Sequence, residues 1–217
     1  MEYVIDLFLH LDVHLAEFVA QYGVLVYAGL FAVIFAETGL VVTPFLPGDS
    51  LLFAAGALAA TGAMDITLVS VLIATAAVLG NAVNYAIGRA VGPRVFAAAG
   101  DGTDLQSKLL NRKHLDRAHA FFEKHGALAV ISSRFAPIIR TFVPFVAGAA
   151  AMSASRFMLY NLIGGVLWTA ICVGAGYLFG NIPIIKNNFS LVAIGIVAVS
   201  LLPLAVEFYK ARRHQSA

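Results

Sequence analysis

The stretch Arg134-Phe-Ala-Pro-Ile-Ile-Arg140-Thr-Phe-Val-Pro144-Phe-Val-Ala-Gly148 decides how this chain folds. Its two arginines lie in otherwise apolar sequence, which Pro137 and Pro144 interrupt. An arginine near the centre of a bilayer costs roughly 2.5–3.5 kcal/mol on insertion scales. A proline removes a backbone donor and clashes with the preceding helical turn, and broken backbone at membrane depth is tolerated only inside protein or beside a water-filled cavity. The stretch therefore predicts a cationic, non-helical wedge within a membrane protein.

Composition supports this interpretation, because 60% of the 217 residues are hydrophobic and only 12% are charged. Soluble domains are about 25% charged and about 45–50% apolar. No basic stripe with interleaved aromatic residues occurs, so we expect no nucleic-acid partner. The single cysteine, Cys172, lies in an apolar run and excludes a disulfide within the chain. The pattern predicts an all-α integral membrane protein.

A second interrupted stretch, Glu37-Thr-Gly-Leu-Val-Val-Thr-Pro-Phe-Leu-Pro-Gly-Asp49-Ser, has the same design with acidic residues. The apolar run that follows it is about 13 residues, or ~20 Å of helix, which is too short for a ~30 Å hydrocarbon core. We therefore predict a re-entrant hairpin over residues 22–62 with both acids near its tip. The alternative is an ordinary helical hairpin with the acids in a solvated loop, where Asp49 caps the returning helix.

The arginine stretch predicts a second re-entrant hairpin over residues 125–152. Its legs, Ala127–Ala136 and Phe142–Met152, are roughly 10–11 residues each, or ~15 Å as helix, so neither spans alone. We expect the two hairpins to meet. That encounter would bring Glu37 and Asp49 toward Arg134 and Arg140.

The rest of the chain is predicted from hydropathy and charge. Residues 1–20 form an amphipathic helix that lies at the interface or packs on the protein, and Lys and Arg are absent before Arg89 but dense after it. Basic loops stay cytoplasmic, so we expect the N-terminus outside and the C-terminus inside. The predicted parts are a single membrane domain over 21–208, transmembrane helices 66–88, 157–179 and 190–208, a cytoplasmic loop 89–124, and a basic tail 209–217.

Two halves of the chain resemble each other. The segment 79–92 parallels 167–180 through its glycines, and Phe53-Ala-Ala-Gly56-Ala parallels Phe145-Val-Ala-Gly148-Ala. If each repeat holds one re-entrant hairpin and one transmembrane helix, the repeats must be inverted, with an extra C-terminal transmembrane helix. Inverted repeats with broken helices that meet near the midplane are a transporter design.

The sequence resembles the DedA family of inner-membrane proteins over nearly its whole length. The resemblance is carried by the two interrupted stretches and by Asn-Tyr85-Ala-Ile-Gly88-Arg89. It implies a core shared with VTT-domain lipid scramblases and a multi-pass location in the bacterial inner membrane. It also implies transport of undecaprenyl phosphate or phospholipids that depends on the proton motive force. The family's four essential positions match Glu37, Asp49, Arg134 and Arg140. The family often has Gly-Asp at residues 80–81, where this chain has Gly-Asn, which weakens any proton-carrying role there.

The residue chemistry agrees with a carrier of a phosphate-bearing lipid and of protons. Arginine suits bidentate phosphate recognition, so Arg134 and Arg140 are the predicted phosphate-binding residues. Glu37 and Asp49 are the predicted proton-coupling residues, with Glu37 favoured because it lies deeper in its apolar run. Burial and a neighbouring arginine shift the pKa of a carboxyl group in opposite directions, and the sequence leaves open which effect prevails.

Other classes of protein remain as alternatives. A cation/proton antiporter would use the acids but would leave two buried arginines without an anionic substrate. A structural protein would use the four charges only as ion pairs, which stabilise poorly compared with apolar packing. We expect no enzymatic activity and no cofactor, because no nucleophile or ligand cluster lies in the apolar regions. His10 and His14 have metal-ligand spacing but lack a third ligand, so no metal site is predicted.

Overall fold

The computed structural model describes residues 17–19, 21–40, 48–98, 112–180 and 182–183. Six helices of 13 or more residues lie in this part of the chain. They are α1 (Leu25–Gly39), α2 (Gly48–Ala60), α3 (Ile66–Ala98), α4 (Arg112–Ser133), α5 (Pro137–Ala149) and α6 (Ala154–Phe179). The described residues contain no strand, which confirms the all-α prediction for this part.

Two of the helices are long and apolar enough to cross a membrane. These are the segment Ile66–Gly92 of α3, with 27 residues, and α6, with 26 residues. At ~1.5 Å per residue each is about 40 Å long, more than a ~30 Å hydrocarbon core requires. The third predicted span, 190–208, and the basic tail, 209–217, lie outside the described residues, as does most of the predicted N-terminal helix.

The predicted loop 89–124 is partly helical. Helix α3 continues past its predicted end at residue 88 to Ala98, and α4 already begins at Arg112. The Arg89 guanidinium is satisfied on the helix itself, where Nη1 donates to the Tyr85 hydroxyl at 2.8 Å. A basic side chain that is hydrogen-bonded in this way can lie within a helix. The positive charge of Arg89, from which a helix end at residue 88 was predicted, therefore does not end α3.

The non-helical wedge predicted around the two arginines is wrong for most of its length. Only a short turn separates α4 from α5, which begins at Pro137 and contains Arg140 and Pro144. A proline at the first helical position sacrifices no hydrogen bond, because that N–H has no partner within the helix. The first-turn bond from the Arg140 N–H to the Ala136 carbonyl is made, at 2.9 Å. Pro144 removes only one later bond, and the helix continues to Ala149.

The chain divides into two compact units. The first comprises Met1–Val33, Phe45–Ala74 and Leu167–Ala217, and the second comprises Ile34–Pro44 and Thr75–Val166. Helices α1, α3 and α6 each contribute to both units.

In the first unit, α2 and α6 touch through glycine. A Cβ atom at Gly56 would overlap the carbonyl oxygen of Val173, and one at Gly176 would overlap the carbonyl oxygen of Phe53. The two helix backbones are therefore in direct contact. Small residues at helix interfaces permit such contacts in membrane proteins, where dispersion replaces the hydrophobic effect between helices.

The second unit repeats this contact between α5 and α3. A Cβ atom at Gly148 would overlap the carbonyl oxygen of Tyr85, and one at Gly88 would overlap that of Phe145. These residues occupy the positions that the sequence comparison pairs with those of the first unit. The internal repeat thus corresponds to the same helix contact, built once in each unit.

We expect Gly148→Ala to lower the free energy of unfolding by about 1–3 kcal/mol, the range for overpacked cores. The added methyl group must separate two backbones that now touch. Gly174→Ala is the matched control, because a Cβ there meets nothing within 4 Å, and alanine favours helix by about 1 kcal/mol. Unfolding in detergent, followed by the fluorescence of the single tryptophan, compares the two variants. Equal stability would contradict the direct backbone contact.

Candidate functional site

The second unit contains a buried ion pair between α1 and α5. The Arg140 Nη2 atom donates to Glu37 Oε1, and the two residues are 3% and 0% exposed. Glu37 lies in the last turn of α1, and Arg140 lies in the first turn of α5. The structure thus brings together one acid and one arginine from the two interrupted stretches. In this low-dielectric setting their attraction is far stronger than it would be in water.

Asn84 of α3 holds the backbones on both sides of this pair. Its Nδ2 atom donates to the carbonyl oxygen of Thr38 at 3.3 Å and to that of Thr141 at 2.7 Å. These threonines directly follow Glu37 and Arg140 in the chain. Asn84 is fully buried, so the amide fixes the helix positions from which the ion pair is formed.

Arg134 lies in the turn after α4 and is only 2% exposed. Its Nη2 atom donates to the carbonyl oxygen of Ala77 at 3.2 Å and to the side-chain oxygen of Asn161. With the Asn81 amide turned so that both of its ends are satisfied, the Asn81 oxygen accepts from the same Nη2 atom at 3.0 Å. Among the described residues, every acceptor around this guanidinium is a neutral amide oxygen.

Two nitrogens of Arg134, Nε and Nη1, are buried without a hydrogen-bond partner among the described residues. No carboxylate in that part of the chain pairs with Arg134. Where the structure describes burial in the second unit, the buried charges are therefore two guanidinium groups and one carboxylate. Because a buried, unpaired cation is costly, the arrangement favours an anion beside Arg134.

Room for the Arg134 side chain comes from two adjacent glycines of α6. A Cβ at Gly164 would lie 3.4 Å from Arg134 Cγ, and one at Gly165 would lie 3.4 Å from Nη2. The second would also lie 2.9 Å from a methyl group of Val78. The Arg134 side chain therefore lies close along this part of α6.

Asp49 lies in the first unit, whereas the other three predicted site residues lie in the second. It is in the first turn of α2, where a negative charge interacts favourably with the helix dipole. Its Oδ1 atom accepts a hydrogen bond from Trp168 Nε1 at 2.8 Å, and Trp168 is itself 1% exposed. The predicted approach of Asp49 to the arginines stays a prediction.

Comparison with known proteins identifies the family. The model of the VTT domain matches residues 46–178. Protein DedA of Escherichia coli (strain K12) is 51% identical over 97% of this chain and 94% of its own length. This chain belongs to the DedA family.

Other members of the DedA family are more distant. Inner membrane protein YghB of Escherichia coli (strain K12) is 35% identical over 83% of this chain and 78% of its own length. An uncharacterized membrane protein of Mycobacterium tuberculosis (strain ATCC 25618 / H37Rv) is 40% identical over 89% of this chain and 84% of its own length. No solved structure matches the chain. The protein is thus a membrane protein of the DedA family.

Sequence reasoning missed the neutral groups of this DedA-family site. Asn84, Asn161 and Trp168 are not among the site residues that the sequence predicts. The available signal was the presence of asparagines in apolar helices, because a buried amide must find partners. The described residues contain no cluster of three metal ligands, and His10 and His14 lie outside them.

Proposed function

We propose that this protein carries a phosphate-bearing lipid, undecaprenyl phosphate or a phospholipid, across the bacterial inner membrane. Transport is coupled to the proton motive force and supports maintenance of the cell envelope. The headgroup phosphate binds at Arg134 and Arg140, while the lipid tail remains in the bilayer. The protein is not an enzyme, and its partners are the lipid and protons.

The observation that carries the proposal is the unneutralised charge of Arg134. Its Nε and Nη1 atoms are buried donors without acceptors among the described residues, and a phosphate oxygen is a strong acceptor for such donors. The tail of a lipid phosphate also keeps its headgroup at the membrane, so the anion can reach Arg134 without leaving the bilayer. A cation antiporter has no use for this buried guanidinium.

In the proposed cycle, protons act at Glu37. Its carboxylate pairs with Arg140. Protonation would remove the negative charge from the pair and leave both arginines to bind the anionic headgroup. Asp49 keeps a different role as a counter-ion or helix cap, because it lies in the first turn of α2 and its Oδ1 atom accepts a hydrogen bond from the indole N–H of Trp168.

The proposed architecture places two re-entrant hairpins, 22–62 and 125–152, in inverted repeats of a multi-pass protein. Helices α1, α2 and α5 have 15, 13 and 13 residues. At ~1.5 Å per residue none exceeds about 23 Å, less than a ~30 Å hydrocarbon core. The repeated glycine contact between a short helix and a long helix supports this arrangement.

A structural role for the charges is the second candidate, and the ion pair between Glu37 and Arg140 favours it. On that view the pair only holds α1 against α5. The two candidates differ in what happens when the pair is replaced by apolar residues, because only transport requires the charges themselves.

The test is lipid transport by the purified protein in proteoliposomes, with and without an imposed pH gradient. The substrate is a fluorescent polyprenyl phosphate or phosphatidate, and the neutral control is the corresponding alcohol or diacylglycerol. We expect movement of the phosphate-bearing lipid above protein-free vesicles and acceleration by the gradient. Equal movement of the neutral lipid would oppose the proposal.

We expect Glu37→Gln to abolish the response to the pH gradient while lipid binding is largely retained. Glutamine resembles the protonated acid in shape and charge but cannot exchange a proton. Glu123→Gln is the matched control, because Glu123 is an exposed carboxylate in a pair with Arg156, and it should respond like the parent. If Glu37→Gln keeps the parental response to the gradient, Glu37 is not the coupling group.

A further inference from the structure

Asn161 is the side chain that most directly holds Arg134. Its Oδ1 atom accepts from Arg134 Nη2, and its own Nδ2 atom donates to the carbonyl oxygen of Val78 at 2.9 Å. Asn161 is fully buried. The oxygen of this amide therefore binds the guanidinium, and its nitrogen connects α6 to α3 by a hydrogen bond.

The amide keeps the charge of Arg134 available. An aspartate of nearly the same shape would hold the guanidinium more strongly, since it would add the attraction between opposite charges to the hydrogen bond. It would also neutralise the guanidinium. A purely structural site would benefit from such a counter-ion, because removing an uncompensated buried charge stabilises a protein.

We propose that Asn161 is a positioning residue that orients Arg134 through a neutral acceptor and so keeps its positive charge for an anionic phosphate. The neutral oxygens of Ala77 and Asn81 accept from the same Nη2 atom, and they too hold the guanidinium without neutralising its charge. Nε and Nη1 remain for the anion. This inference rests on the proposed function, but it concerns binding and can be tested apart from transport.

The experiment measures phosphate binding to the full-length protein in detergent by isothermal titration calorimetry. The probes are inorganic phosphate and dihexanoyl phosphatidate, which distinguish a free anion from a lipid headgroup. We expect Asn161→Asp to raise the dissociation constant for phosphatidate at least tenfold, because the new carboxylate neutralises Arg134. Thermal stability is measured alongside, since the variant also loses the hydrogen bond from Nδ2 to the Val78 carbonyl. In proteoliposomes KM for the anionic lipid should rise more than kcat falls.

Two further variants keep the test decisive if Asn161→Asp fails to fold. Asn161→Ala removes the acceptor without adding charge, so Arg134 loses its orientation and the dissociation constant should rise about threefold to tenfold. Thr169→Val is the matched control on α6, because Thr169 is buried and its hydroxyl makes no hydrogen bond among the described residues. It should bind like the parent.

The outcomes separate this inference from the proposed function. Parental affinity in both Asn161 variants would overturn the inference while leaving transport by the parent intact. A parent that binds phosphatidate but moves no lipid would overturn the proposed function and leave the role of Asn161 standing. A parent that binds neither probe would overturn the inference, whatever the transport result.

Discussion

Arg140→Ala is expected to destabilise the protein by about 3–5 kcal/mol, the usual cost of removing one partner of a buried ion pair. Glu37 would remain fully buried without the guanidinium that now donates to its Oε1 atom. The double variant Glu37→Leu/Arg140→Met should recover most of this loss, because apolar residues of similar volume often replace a buried pair at little cost. Unfolding in detergent, followed by tryptophan fluorescence, measures both.

The same double variant decides whether the pair is structural or functional. We expect it to fold but to move no phosphate-bearing lipid, because neither the cation nor the acid remains. Arg156→Ala is the stability control, since Arg156 and Glu123 form a 2.9 Å pair whose side chains are 57% and 47% exposed, and such pairs contribute at most about 1 kcal/mol. Parental transport by the double variant would establish a structural role for the pair.

Arg134→Lys is expected to lower transport of the phosphate-bearing lipid by about 10–100-fold. The single ammonium of lysine cannot bond to the oxygens of Ala77 and Asn161 and also reach a phosphate, whereas the guanidinium has separate nitrogens for these tasks. A hydrogen bond to a charged group contributes about 1.5–3 kcal/mol, and each 1.4 kcal/mol corresponds to about tenfold.

Arg89→Lys provides the comparison for Arg134→Lys. Arg89 is exposed and its Nη1 atom makes a 2.8 Å bond to the Tyr85 hydroxyl, which an ammonium group can also make. Its transport should stay within about threefold of the parent, because the Tyr85 hydroxyl and the Met152 carbonyl both accept from the same nitrogen, Nη1, and a single ammonium can take its place. A parental rate for Arg134→Lys would mean that a point charge suffices, and the separate use of the guanidinium nitrogens would be refuted.

The broad class of this protein could be predicted from its sequence. Hydropathy and chain length predicted three transmembrane helices, and two of them are long apolar helices in the part of the chain that the structure describes. The four charged residues stood out because charges are rare and costly in apolar sequence. The paired glycines at positions 56 and 148 also marked the repeat, since only glycine permits backbones to touch.

Local rules were less reliable at the arginine stretch. Two prolines suggested broken backbone around Arg140, but Pro137 begins a helix and Pro144 is accommodated within it. The effect of a proline depends on its place in the helix, which a single sequence does not define. The end of α3 was likewise predicted too early, at residue 88, although Arg89 continues the helix and donates to the Tyr85 hydroxyl.

The sequence by itself determined that this is an all-α membrane protein with two acids and two arginines in interrupted apolar segments. Only the tertiary structure decided that Glu37 pairs with Arg140, that Asp49 bonds to Trp168, and that neutral amide oxygens of the described helices hold Arg134. These partners are far apart in the chain: 103 residues separate Glu37 from Arg140, and 119 separate Asp49 from Trp168. Hydropathy and helix periodicity act over a few turns, whereas partner choice depends on how helices pack, because a hydrogen bond forms only between groups that packing brings within about 3 Å.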